Sequence, residues 1–161
     1  MKLLVTGPTG FLGYHLCKSL VKTDLEIVAI SRNPPPLERQ VNSKKISYIS
    51  LSEINIDRFI KSSNFKGVIH CATNYGRDDK TLDTLQTNLT FPLSILLSSI
   101  KANVSFFINT DTILKKNISF YTLSKFQFNE WFKAYSNHLY CCNVKIEHFF
   151  GPRDNLTKFV I

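Results

Sequence analysis

Three side chains in the second half of the chain are of types that move a proton to or from a carbonyl or alcohol oxygen. Tyr121 and Lys125 are four residues apart, so on a helix they lie on one face. A phenol normally has a pKa of about 10, and a nearby ammonium lowers that pKa. Thr110 adds a hydroxyl that can hydrogen-bond the reacting oxygen. Together they predict proton transfer coupled to hydride transfer by a nicotinamide, although an exposed Tyr and Lys at a helix start would show the same spacing.

A glycine-rich segment near the start of the chain has the pattern of a phosphate-binding turn. Gly7, Gly10 and Gly13 lie between an apolar run at 2–6 and a helical pattern at 11–21. Gly7 permits a tight turn, Gly10 lets the backbone approach a pyrophosphate, and Gly13 lets the helix pack close to the strand. The N–H groups at the helix start then face the anion. The segment predicts a dinucleotide site, and a plain glycine turn is the alternative.

The residues after the second apolar run bear on which dinucleotide is bound. Ser31 and Arg32 follow the run at 25–30. An acid at this place would bond the ribose 2′-hydroxyl of NAD, whereas an Arg beside a hydroxyl suits the 2′-phosphate of NADP. The sequence therefore predicts NADP and favours NAD less, with a solvent-exposed surface Arg as the alternative.

Residues after the third and fourth runs are further candidates for the same site. Leu51 either borders an adenine or belongs to the core. Ala72 is small enough to let the backbone approach a cofactor, and Cys71 is expected to be a small buried hydrophobic residue. His70 ends an apolar run and is interpreted as a hydrogen-bonded core histidine.

Short apolar runs, which predict strands, alternate along the chain with longer segments of helical spacing, and these elements must position the candidate residues. The predicted strands are 2–6, 25–30, 46–51, 66–71, 104–109 and 144–149. The predicted helices are 11–21, 54–60, a stretch over 82–100 that Pro92 interrupts, and 123–135. Alternating strands and helices predict an α/β fold, a Rossmann-like, doubly wound parallel sheet with helices on both faces. Ligands of such sheets bind at the carboxyl ends of the strands.

Composition excludes several classes of protein. The chain has 161 residues, of which 43% are hydrophobic, so it is long and apolar enough for one folded domain. Its apolar runs are shorter than the roughly 18 residues of a membrane span, and it shows no signal-peptide pattern. The four cysteines lack zinc-type spacing, which predicts no metal site and reduced thiols in the cytoplasm.

The net charge of +8, from 20 Lys and Arg against 12 Asp and Glu, favours an anionic partner. Nucleic acid and a small phosphate-bearing ligand both satisfy that requirement. The basic residues are dispersed, with Lys44-Lys45 and Lys115-Lys116 as pairs, so no basic stripe for nucleic acid is visible. We expect a small phosphate-bearing ligand and no nucleic acid.

At these residues the chain resembles the extended short-chain dehydrogenase/reductase family, also called the NAD-dependent epimerase/dehydratase family. Residues 6–13 resemble its cofactor segment, 68–72 its fourth strand, and 149–152 its signature after the sixth strand. Thr110, Tyr121 and Lys125 match its catalytic residues. The predicted cofactor-binding residues are Gly7, Thr9, Gly10, Phe11, Leu12, Gly13, Ser31, Arg32, Leu51, Cys71, Ala72, Thr73, Asn88, Tyr121 and Lys125.

The resemblance implies an enzyme of nucleotide-sugar metabolism. The run 109–112 with 121–125 is most similar to NADPH-dependent 4-ketoreductases of the CDP-abequose and CDP-paratose synthase type, which serve lipopolysaccharide (O-antigen) synthesis. Thr112 stands where the family's dehydratases carry a Glu, which argues against dehydration. The expected reaction is reduction of the 4-keto group of a CDP- or dTDP-linked deoxyhexose, with an epimerase as the alternative. A homodimer through the helices at 82–100 and around Tyr121 is expected from the same resemblance.

The family's chains are about twice as long as this one. We therefore expect residues 1–161 to be the NAD(P)-binding Rossmann domain without the sugar-nucleotide-binding lobe. A catalytically silent NADP-binding module is the alternative that this length raises.

Overall fold

Buried aliphatic runs form the strands of a single parallel sheet. The computed structural model describes residues 1–77, 80–147, 149–152 and 154. Its six strands lie in the order β3-β2-β1-β4-β5-β6, and all neighbours are parallel. The strands are β1 Lys2–Thr6, β2 Glu26–Ser31, β3 Ile46–Ser50, β4 Gly67–His70, β5 Phe106–Thr112 and β6 Tyr140–Ile146.

Helices connect the strands and cover both faces of the sheet, as predicted. They are α1 Phe11–Leu20, α2 Ile56–Ser63, α3 Thr81–Leu85, α4 Phe91–Lys101 and α5 Phe120–Ala134. A π-helical turn, Gln86–Thr90, joins α3 to α4, so the interruption expected near Pro92 is confirmed. A capping box formed by Ser119 and Thr122 starts α5 and fixes where its first turn begins.

The sheet separates two hydrophobic cores. Alternation along β1 places Leu4 on one face, and Leu3 and Val5 on the other. The Leu4 face packs against α2, α4 and α5 through the buried side chains Val28, Ile60, Val68, Ile95, Leu96, Phe107, Phe128 and Phe132. The opposite face packs against α1, where Cys17 is fully buried. Burial on both faces explains why β1 and β2 read as near-continuous apolar runs.

The order of the strands reverses beside β1. The chain moves outward from β1 to β2 and β3, then returns to place β4 on the other side of β1. Thr6 pairs with Ile30 of β2 and with His70 of β4. The carboxyl ends of these strands therefore open a crevice at the point where such sheets bind ligands.

Two strands lie elsewhere than predicted. β5 spans 106–112 rather than 104–109, so Thr110 lies within the strand and not after it. β6 spans 140–146 rather than 144–149. Among the described residues, β6 pairs with β5 and with no second strand. It is partly exposed, with Tyr140 at 70% and Val144 at 42% exposure. An edge strand of this kind has no continuous apolar run, which is why the apolar pattern misplaced it.

The glycines of the first turn have different structural roles. Gly7 adopts φ 68°, and a Cβ there would lie 2.6 Å from the backbone nitrogen of Ala72. A Cβ on Gly13 would lie 2.1 Å from the carbonyl oxygen of Gly7, so Gly13 lets α1 pack on the turn itself and not, as predicted, on the strand. A Cβ on Gly10 would make only an ordinary contact, at 3.5 Å from the same oxygen.

These distances predict unequal effects of two matched substitutions. Gly13→Ala should lower the free energy of unfolding by about 1–3 kcal/mol, because the backbone of the turn must move to admit the methyl group. Gly10→Ala should change it by less than about 1 kcal/mol, since its methyl group makes only an ordinary van der Waals contact. Urea unfolding followed by circular dichroism measures both. Equal losses in the two variants would contradict the packing described for Gly13.

Candidate functional site

A cavity of about 610 Å³ opens at the carboxyl ends of the strands. It brings together every site residue predicted from the sequence except Asn88. The predicted residues in its lining are Gly7, Thr9, Gly10, Phe11, Leu12, Gly13, Ser31, Arg32, Leu51, Cys71, Ala72, Thr73, Thr110, Tyr121 and Lys125. A cavity of this size suits a small organic ligand or a cofactor.

The glycine turn forms the floor of one end of the cavity. The N–H of Gly7 donates to Ile30 O at 3.2 Å, and the N–H of Gly10 donates to Gly7 O at 3.2 Å. Gly10 is the N-cap of α1 and supplies no capping side chain, and the first turn of α1 contains no acid. The N–H groups of that turn therefore face the cavity with the positive end of the helix dipole, a suitable place for an anion.

Arg32 lies in the wall at the end of β2. Ser31 is buried, and its hydroxyl donates to Asn33 O at 2.6 Å, which uses its proton within the turn. Ser50 Oγ donates to Arg32 O at 2.9 Å and so holds the Arg32 backbone beside β3. The Arg32 side chain lines the cavity, as a residue that binds a 2′-phosphate must. It is also exposed to solvent, as the alternative of a surface Arg requires. Leu51 both lines the cavity and packs against the core, as its two interpretations required.

At the other end, Lys125 is buried against β5. Lys125 is only 2% exposed, and its Nζ donates a hydrogen bond to Thr110 O at 2.8 Å. Thr110 Oγ1 donates to His70 O at 2.9 Å, which ties β5 to β4. Burial lowers the pKa of Lys125 to about 8, while the charge of Asp111 acts in the opposite direction.

Tyr121 lines the same end, but its pKa does not follow the expectation. Burial raises the pKa of Tyr121 to about 12, and Tyr75 and Asp111 add to the rise. A hydrogen bond with the Thr112 side chain opposes it. Lys125 does not contribute to this shift, so the lowering expected from the sequence does not occur. In this structure the phenol is therefore a protonated group at neutral pH.

His70 is a core histidine, as interpreted from the sequence. Its Nδ1 shares a hydrogen bond of 2.8 Å with Thr6 Oγ1, which also accepts from the N–H of Ala72 at 3.3 Å. Burial, together with the charge of Lys125, holds the pKa of His70 well below its ordinary value. Neutral His70 therefore joins β1 to the segment after β4. Cys71 in that segment is half-buried, and burial raises its pKa to about 12.

Asn88 lies behind the cavity wall and does not line it. Its Oδ1 accepts from the N–H of Asn74 at 2.8 Å, and its Nδ2 donates to Asn74 O at 2.7 Å and to Ser124 Oγ at 3.0 Å. These bonds give Asn88 a structural role, and its contact with a cofactor stays a prediction. Asn88 fixes the segment after β4 against α5.

Several lining residues were not predicted from the sequence, among them Tyr75, Arg77 and Asp111. The ring of Tyr75 lies 5.2 Å from that of Tyr121, and the guanidinium of Arg77 lies 5.7 Å from the Tyr75 ring. Both come from the irregular segment after β4, where a side-chain pattern gives no signal. Asp111 directly follows the predicted site residue Thr110, and it too lines the cavity.

The segment after β6 crosses to the glycine turn. Phe149 stacks on Phe11 with ring centroids 5.5 Å apart, and His15 Nε2 donates to Pro152 O at 3.0 Å. The predicted signature at 149–152 therefore lies against the first turn of α1. Within the described residues, we find no group of three or more His, Cys, Asp or Glu side chains placed to hold a metal. In the same part of the chain, no helix is long and apolar enough to cross a bilayer.

Known proteins share this fold, and some of them are also similar in sequence over nearly the whole chain. Two solved structures superpose with a TM-score of 0.84: UDP-glucose 4-epimerase of Thermotoga maritima with UDP-glucose, and Bordetella bronchiseptica WbmH with NAD+. They are 19% and 18% identical, cover 96% and 95% of this chain, and are themselves covered over 58% and 57% of their length. At that identity they establish the fold.

The sequence comparisons go further. CDP-abequose synthase of Salmonella typhimurium is 30% identical over 98% of this chain, and that of Salmonella muenchen is 31% identical over 99%. The chain spans 56% and 57% of these relatives, about half their length. The sequence model of the NAD dependent epimerase/dehydratase family matches residues 3–161. The chain belongs to this family, the extended branch of the short-chain dehydrogenases/reductases.

Proposed function

We propose that this chain is the NADP-binding domain, residues 1–161, of an enzyme that reduces the 4-keto group of a CDP- or dTDP-linked deoxyhexose for surface-polysaccharide synthesis. One observation carries the proposal. A single cavity joins a helix N-terminus and Arg32 at one end to Tyr121, Lys125 and Thr110 at the other. Similarity to CDP-abequose synthases over nearly the whole chain supports the substrate class.

The residues at the glycine turn fit a dinucleotide phosphate. Neither Gly7 nor Gly10 carries a Cβ, so an anion can approach the backbone closely. Arg32 lines the wall of the cavity and would hold the 2′-phosphate of NADP. When bound, the cofactor supplies the hydride.

The residues at the other end then complete a reduction. The Tyr121 phenol is protonated at neutral pH and donates its proton to the carbonyl oxygen as the hydride reaches the carbon, which yields an alcohol. Buried Lys125, an ammonium below about pH 8, stabilises the phenolate that remains. The phenolate regains a proton from solvent. The Thr112 hydroxyl, which bonds the Tyr121 side chain, helps to hold the phenol in place.

An epimerase is the second candidate, and the fold match with UDP-glucose 4-epimerase favours it. An epimerase returns the hydride to the sugar, so it consumes no net cofactor. Stoichiometric loss of NADPH distinguishes the reductase from the epimerase.

The setting we propose is the cytoplasm, in which Cys17, Cys71, Cys141 and Cys142 would remain the free thiols that they are in the structure. We also propose a homodimer through the helices of residues 81–101 and 120–134. Leu82 on α3 is 80% exposed and Trp131 on α5 is 48% exposed, which supports apolar contact on this side.

Arg32 should determine the choice between the two dinucleotides. Arg32→Ala should weaken NADPH binding by about 10–100-fold, since it removes a charge-assisted bond to the 2′-phosphate, and should leave NADH binding unchanged. Calorimetric titration with each cofactor measures both affinities. Arg58→Ala, on the exposed side of α2, is the matched control and should change neither. Equal affinity of the unaltered chain for NADPH and NADH would contradict the assignment.

Tyr121 should be required for turnover and not for cofactor binding. Tyr121→Phe removes the proton donor and should lower kcat by about 100–10,000-fold, with NADPH affinity kept within a few-fold. Loss of NADPH absorbance with a 4-keto nucleotide-sugar measures turnover, and Tyr135→Phe, at the C-cap of α5, is the control. Turnover is measured on residues 1–161 joined to a sugar-nucleotide-binding lobe. If that enzyme binds NADPH and oxidises none of it, the reductase proposal fails and a silent binding module is favoured.

A further inference from the structure

A cluster of side-chain amides lies next to Asp111, where β5, β6 and α5 meet. Asn109 and Asp111 are two residues apart on β5 and therefore face the same side of the sheet. Asn143 of β6 is the direct register partner of Asn109, which places it diagonally opposite Asp111. Asn129 of α5 covers the cluster from above the sheet.

Hydrogen bonds fix the cluster as one unit. Asn143 Nδ2 donates to Asp111 Oδ2 at 2.7 Å and to Asn129 Oδ1 at 3.1 Å. Asn109 Nδ2 donates to Asn143 Oδ1 at 2.7 Å, which fixes the direction in which the Asn143 amide points. The N–H of Thr112 donates to Asp111 Oδ1 at 2.8 Å. Each oxygen of the carboxylate is thus held by an amide donor.

The carboxylate held in this way lines the same end of the cavity as Lys125. The other titratable groups around the Lys125 ammonium are His70 of β4, Cys71 just after it, and Tyr121 of α5. At neutral pH the histidine is uncharged, because burial and Lys125 hold its pKa well below its ordinary value. The thiol and the phenol are uncharged because burial raises the pKa of each to about 12. Among the described groups around Lys125, this leaves the Asp111 carboxylate as the negative charge that acts on the ammonium.

We propose that Asn143 is a positioning residue that holds the Asp111 carboxylate as the buried counter-charge of Lys125. Through this bond the edge strand β6, which provides no catalytic residue, sets the protonation of a lysine on α5. The role of the ammonium in turnover rests on the proposed function. The positioning itself concerns the protein alone and can be tested without cofactor or substrate.

The test is the titration of Lys125 in the isotope-labelled chain, followed by NMR of its ε-methylene group and assigned with Lys125→Met. The unaltered chain should show a midpoint near pH 8. Asp111→Asn should lower the midpoint by about one unit or more, because the opposite charge is lost. Asn143→Val should lower it in the same direction. Asn143→Thr, similar to Val in shape but with a hydroxyl donor, should restore much of the difference.

Controls separate positioning from stability. Asn137→Val, at an exposed site, should leave the Lys125 midpoint unchanged. A purely structural role for Asn143 would lower the melting temperature in Asn143→Val without moving the midpoint, and that result would overturn the proposal. An unmoved midpoint in Asp111→Asn would overturn it equally.

If Asn143→Val does not fold, Asn129→Ala supplies a second route. It removes one acceptor of the Asn143 amide and should lower the Lys125 midpoint by less than Asp111→Asn does. An unchanged midpoint in a folded Asn129→Ala, beside a lowered one in Asp111→Asn, would contradict a cluster that acts as one unit. The Lys125 titrations need neither NADPH nor substrate. A chain that fails to bind NADPH or to turn over therefore contradicts the proposed function without affecting the test of Asn143.

Discussion

The backbone of the turn after β1 lies directly against the backbone of the segment after β4, and the rest of the site depends on this contact. A Cβ at Gly7 would lie 2.6 Å from Ala72 N, so only a glycine permits the approach. The bonds that join Thr6 to His70 and to the N–H of Ala72 hold it closed. Because the two strand ends meet here, one crevice receives the start of α1 from one side and Lys125 from the other.

Burial determines the chemistry at the second end of that crevice. The same loss of water lowers the pKa of Lys125 to about 8 and raises that of Tyr121 to about 12, which moves apart two values that are nearly equal in solution. A lysine in such surroundings needs fixed partners to remain charged. The Thr110 carbonyl oxygen is one of them, at 2.8 Å, and Asp111 contributes its negative charge. Both partners come from β5, so the strand supplies the groups that stabilise the charge of a lysine on α5.

Much of this arrangement is readable from the sequence, because it depends on local pattern. The glycine spacing, the buried runs of β1, β2 and β4, and the four-residue spacing of Tyr121 and Lys125 each act over a few residues. Together with the rule that ligands bind at strand ends, they predict the fold and place the predicted residues, Asn88 excepted, in one cavity. The half-exposed edge strand β6 was misplaced because its buried and exposed residues follow no regular pattern.

The features that the sequence did not reveal depend on contacts between distant segments. Nothing near Asn88 indicates that its amide pairs with the backbone of Asn74 rather than with a ligand, because the partner is fixed only when α5 and the segment after β4 pack together. The role of Asn143 depends on its register with Asn109, which a shift of β6 by one residue would abolish. Since 140–146 rather than 144–149 form the strand, Asn143 faces Asp111. The placement of one edge strand thus decides which groups surround the buried lysine.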